Sequence, residues 1–130
     1  MYNKANNFND LENRCLEFSL RVKAFCKSIK QDIIHQVYIS QVIRSSSSIG
    51  ANYIEANEKL GEKDLLFRIR IARKESKETI YWLNHFDESD ERNFLLDEAD
   101  QLRKILSSMI IKISNYNSQF NTIQTNNISN

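Results

Sequence analysis

Proline is absent from this chain of 130 residues, and glycine occurs only twice. Sheets joined by tight turns draw on both residues, so their scarcity favours a mostly helical protein. No apolar run approaches the roughly 18 residues that a membrane-spanning helix needs. The opening stretch MYNKANNFNDLENR has no apolar core of a secretory signal, so a cytoplasmic location without membrane insertion is expected. Charge of one sign is also lacking. Eighteen basic against 17 acidic residues leave a formal charge of +1, and no global field draws the chain to nucleic acid or anionic lipid. Cysteine is limited to Cys15 and Cys26. On one helix they stand about 16 Å apart, beyond the roughly 7 Å that a disulfide spans, so both read as small apolar residues.

What is present is periodicity. An apolar content of 41% suffices for one modest core, and the length fits a single domain. A first helix is predicted from about Asn9 to Ser28, with Asp10 as its N-cap. Its seam is Leu11, Cys15, Phe18, Val22, Phe25 and Ile29, at alternating steps of four and three. A third pattern covers Glu62 to Phe86, with the seam Leu65, Ile69, Ala72, Ser76, Thr79, Leu83 and Phe86. A second stripe lies beside it: Phe67, Ile71, Lys74, Glu78 and Trp82. A fourth covers Asp90 to Tyr116, with Asp90 as N-cap and the seam Leu95, Ala99, Leu102, Leu106, Met109, Ile113 and Tyr116. Residues 1–8 and the Asn-rich 117–130 look aperiodic and are expected to be flexible tails around a bundle spanning 9–116.

The second pattern contains IRSSSSIGANYIEAN, which by composition alone is a linker. Its periodicity nevertheless continues. Ile34, Tyr38, Val42, Ser45 and Ile49 hold one face, while Ile39, Ile43, Ser46, Gly50 and Tyr53 hold the next. One helix from Asp32 to Glu58 is therefore predicted, its small residues letting a neighbour approach closely, with Gly61 ending it. The alternative is a short break at Ser48–Gly50. Four helices with short connections imply an all-α, antiparallel up-down four-helix bundle.

Gln41, Arg44, Ser48, Asn52 and Glu55 form a polar stripe on helix two, and helix three offers Lys74, Glu75 and Glu78. Two readings stand: a solvated face, or an interhelical network joining Arg44 to Glu75 or Glu78, and Asn52 or Glu55 to Lys74. Arg70, Arg73 and Lys77 share a face of helix three, spaced either to track phosphates or to be solvated beside Glu62, Glu75 and Glu78. His35, His85 and the Asp32-x-x-His35 pair fall short of the paired Glu-x-x-His of a di-iron bundle. Glu75 and Glu78 lack a companion nucleophile or phosphate loop. No metal, cofactor or catalytic site is expected, and an enzyme built on the carboxylates is the weakest of three functional classes.

QVIRSSSSIGANYIEANE, followed by KDLLFRIRIARKESKETIYWL, resembles the paired signature of the 23S rRNA intervening-sequence proteins. The positions that carry it are Arg44, Ser48, Ile49, Gly50, Ala51, Asn52, Glu55 and Ala56, then Lys74, Glu75, Glu78, Tyr81, Trp82 and Leu83. The resemblance implies a four-helix bundle that assembles into a homo-oligomeric ring, a pentamer. One branch, the accessory variability determinants of diversity-generating retroelements, binds nucleic acid and a reverse transcriptase. The leading expectation is a non-enzymatic, self-assembling scaffold or adaptor with an unidentified partner. The alternative is a nucleic-acid-binding accessory protein.

Overall fold

A computed structural model describes residues 7–58 and 61–129, with side chains over 10–58 and 61–127. Four helices follow one another: α1 (Asn7–Ser28), α2 (Ile33–Asn57), α3 (Glu62–Leu83) and α4 (Asp90–Ser129). They pack in ring order, α1 on α2, α2 on α3, α3 on α4 and α4 back on α1. This is the expected all-α four-helix bundle.

The seams read from periodicity form its core. Val22, Val42, Ile49, Ile69, Leu83, Leu95, Leu102 and Leu106 are fully shielded from solvent. Each such side chain stabilises the fold by about 1.5–3 kcal/mol. Ser45, Ser46, Ser76 and Thr79 are buried among them. These four hydroxyls bond to carbonyls one turn back, so none is left unsatisfied. Thr79 Oγ1 and Ser45 Oγ also lie 2.9 Å apart, a hydroxyl–hydroxyl contact that joins α3 to α2 across the core.

The serine-rich stretch is uninterrupted helix. The helix needs Gly50 because α1 lies directly against it. A methyl group added there would stand 3.0 Å from Cys15 Cβ. Asp32 caps α2, its Oδ1 accepting from both His35 N and His35 Nδ1 at 2.8 Å. His35 is thereby committed to a helix cap.

Several boundaries differ from expectation. α1 begins at Asn7, so Asp10 lies in its first turn and is not its cap. Residues 1–6 of the expected N-terminal tail lie outside the described residues. Gly61, expected to end α2, instead precedes α3 with φ +144°, a conformation open to glycine but costly for other residues. α3 ends at Leu83, yet Phe86 in the following turn stays buried, its ring edge-on to Phe25 at 5.4 Å. Ser89, rather than Asp90, caps α4, its Oγ accepting from Arg92 N at 3.1 Å. Ile34, placed on the core face by its spacing, is exposed. The largest difference is at the C-terminus, where α4 continues through the expected tail to Ser129. No helix among the described residues is long and apolar enough to cross a membrane.

Candidate functional site

The polar stripe of α2 meets α3 at Arg44. Its Nη1 donates to Glu75 Oε2 at 3.2 Å and its Nη2 to Glu78 Oε2 at 2.8 Å. Glu75 and Glu78 lie three residues apart on one helix face, a spacing that lets one planar guanidinium reach both. Of the two readings of this stripe, the interhelical one holds for Arg44.

The site is partly open. Side-chain exposure is 49% for Arg44, 37% for Glu78 and 12% for Glu75. The two carboxyls respond in opposite directions. Burial, then the neighbouring Glu78 charge, pushes Glu75 above the usual carboxylate range. The hydrogen bond from Arg44 holds Glu78 below it. Position explains the split: Glu75 lies deeper, while Glu78 takes the shorter bond to the cation.

The remaining stripe residues are arranged differently from expectation. Ser48 donates to Arg44 O, and Asn52 Nδ2 donates to Ser48 O, each at 2.8 Å. Asn52 Oδ1 accepts from Arg68 Nη1 at 3.4 Å. Arg68, rather than Lys74, is thus the cation opposite Asn52. Antiparallel register gives the reason. As α2 advances from Arg44 to Asn52, the facing stretch of α3 retreats from Glu78 towards Arg68, and Lys74 is left behind on the outer surface. The Glu55 carboxylate is exposed and has no hydrogen-bond or ion-pair partner among the described residues. Lys74 is exposed as well, acting on Glu78 only through its field.

Sequence reasoning missed a second ionic seam, between α1 and α4. Arg14 pairs with Glu98, and Arg21 Nε donates to Glu91 Oε1 at 2.6 Å. The Arg21 guanidinium also lies 3.6 Å over the Phe94 ring, a cation–π contact. The signal was available: Arg14 and Arg21 are one heptad apart, as are Glu91 and Glu98, and both pairs flank their apolar seams.

Arg70, Arg73 and Lys77 come together as expected. With Lys74, Glu78, Tyr81 and Trp82 they line a shallow depression of about 500 Å³ on the outer face of α3. Of the three carboxylates expected to neutralise them, Glu75 and Glu78 are bonded to Arg44, although Glu78 also lines the depression and feels the Lys74 charge. Phe67 and Tyr81 are exposed on this helix. Trp82 belongs to an aromatic cluster at the bundle end, with Tyr38 stacked on His85 at 4.5 Å and Tyr81 edge-on to Trp82 at 5.0 Å. Cys15 and Cys26 are free and buried, and burial pushes their thiols up to about 12 and about 11. Both therefore stay protonated and act as packing groups. No group of three or more potential metal-ligating side chains occurs among the described residues.

The fold and this site define a small helical-bundle protein whose distinctive polar chemistry joins one helix to the next. The chain belongs to the 23S rRNA-intervening sequence protein family, whose model matches residues 9–115. It is similar to the crystal structure of a protein of unknown function from the S23 ribosomal protein family of Bacteroides thetaiotaomicron. The two share 29% sequence identity with a TM-score of 0.72, over 79% of this chain and 96% of that one. No curated protein matches the chain.

Proposed function

We propose that the protein is a non-catalytic scaffold that self-assembles through the outer faces of its bundle and presents the assembly to a partner in the cytoplasm. The observation that carries this reading is apolar surface left uncovered in one protomer. Leu16 and Leu20 on α1, Ile43 and Ile54 on α2, and Phe67 and Tyr81 on α3 are all exposed. Isolated exposed apolar residues are ordinary, but Leu16 and Leu20 stand one turn apart on α1 and further exposed apolar side chains lie on each of the other helices, so more than one face offers apolar contact. Two different patches are what a closed head-to-tail ring requires. A ring of five copies is the form that family membership suggests. Light scattering coupled to size exclusion tests this reading at tens of micromolar. A mass several-fold above the 15.3 kDa of one chain is expected. A strict monomer removes the reading, and a stable dimer removes the ring.

The depression on α3 supports a second reading, a nucleic-acid-binding accessory role like that of the retroelement branch. Cations beside the exposed Tyr81 ring and the half-buried Trp82 suit a single strand, phosphates on the former and bases on the latter. The two readings compete for Tyr81. Fluorescence anisotropy with labelled single-stranded RNA separates them. Binding that weakens steeply as salt rises and is lost on replacing Arg70, Arg73 and Lys77 supports the second reading. Binding unchanged between low and high salt contradicts it.

A further inference from the structure

α4 has 40 residues, against 22–25 for the other helices. Its buried seam runs Leu95, Ala99, Leu102 and Leu106, and Met109 and Ile113 are partly buried against the core. Beyond Ile113 the helix has left its neighbours, but the spacing of the seam does not change. Tyr116, Phe120 and Ile123 follow at the same alternating steps of three and four, and Asn127 occupies the next position. The three apolar side chains are 61%, 50% and 59% exposed.

This segment has little capacity to be a helix alone. It consists largely of Asn, Ser, Thr and Gln, which rank below Ala and Leu in helix propensity. Residues 113–130 contain no charged side chain, so no ion pair along the helix supports it. A lone helix of about 12–15 residues is marginal in water even when rich in alanine. Something must pack on the stripe for the helix to persist.

We infer that the stripe is covered by the same segment of other copies of this chain, and that the projecting ends of α4 associate in parallel as a short coiled coil. The inference rests on the self-assembly reading above for the presence of a second copy. Three features select that partner. The heptad is the one the bundle core already uses, carried forward without a stutter. A segment without charge offers no complement to an acidic or basic partner, and it sets no like charges against each other when it meets its own copy. In heptad phase Ile113 and Phe120 take a positions, Tyr116 and Ile123 take d positions, and Asn127 falls at a. An isolated Asn at a is the residue that fixes register between identical strands. A closed ring also sends every C-terminus out of one face, the disposition that parallel pairing needs.

Cysteine scanning in the full chain tests the orientation. In parallel register Ile123 faces its own counterpart, while Ser118 lies on the opposite side of the helix. Under diamide, Ile123→Cys is expected to become mostly covalent dimer and Ser118→Cys to remain at least fivefold less cross-linked. The buried native thiols stay unreacted. The triple variant Tyr116→Ser, Phe120→Ser, Ile123→Ser is expected to lose helical circular dichroism from the α4 extension while the bundle persists. Equal cross-linking at 118 and 123, or none at either, overturns the inference. If the protein is still oligomeric by light scattering, the scaffold reading stands without it. If the triple variant keeps all its helicity, the stripe has no covering partner and the inference fails on that ground alone. If Ile123→Cys cross-links and the triple variant is a monomer, the extension rather than the bundle faces carries assembly.

Discussion

α2 meets its two neighbours in contrasting ways. Towards α1 it presents Gly50, against which Cys15 sits so closely that one added methyl group would stand 3.0 Å from its Cβ. Towards α3 it presents Arg44, which reaches Glu75 and Glu78. The first contact is dry and set by shape. The second is half open and set by charge. Charge draws the eye in a sequence, but the energetics favour shape. A half-exposed ion pair contributes about 0.2–1 kcal/mol, while overpacking a close helix contact costs about 1–3 kcal/mol.

Gly50→Ala tests that contrast most directly. Alanine improves helix propensity by about 1 kcal/mol. Cys15 Cβ lies on the α1 backbone and cannot rotate aside, so the clash forces a backbone shift. A net loss of about 1–2 kcal/mol is expected by denaturant titration, and a gain in stability would show that α1 yields freely. Arg44→Ala is expected to cost less, about 1 kcal/mol or under. A larger loss from Arg44 than from Gly50 would reverse the comparison and make the clamp the main fastening of α2.

The smallest effect separates the two carboxylates by pH. Glu78 is held below its ordinary value, so its contribution is present above the unfolded pKa and is lost as pH falls through the folded one. Glu75 is raised, so its contribution is fully present below the unfolded pKa and is lost as pH rises through the folded one. Glu78→Gln should therefore be most costly at neutral pH and become neutral in acid. Glu75→Gln should become relatively more favourable as pH rises above the ordinary carboxylate value. Thermal melts across pH 3–8 check this, and parallel pH profiles for the two variants would refute the opposed shifts.

Much of the bundle is legible in the sequence. Steps of three and four hold Phe18, Val22, Ile49, Ile69, Leu95 and Leu102 on single faces whatever lies opposite, and all are buried. The same steps kept the four serines inside a helix against their composition. Composition misled at the C-terminus, where an Asn-rich stretch looked aperiodic although Phe120 and Ile123 continue the seam. Arg44 with Glu75 and Glu78 was legible because three residues at helical spacing allow few partners. Lys74 was misplaced because its partner depends on register.

What the sequence determined by itself is local. Side-chain period and the absence of proline act over one or two turns, so they are readable along the chain, whereas the caps expected at Asp10 and Asp90 fall elsewhere. Tertiary structure decided which residues meet across helices: Asn52 with Arg68, Arg14 with Glu98, Cys15 with Gly50. Those pairings depend on the axial offset between antiparallel helices. Loops and the whole packed core set that offset jointly, and no single stretch of sequence carries it.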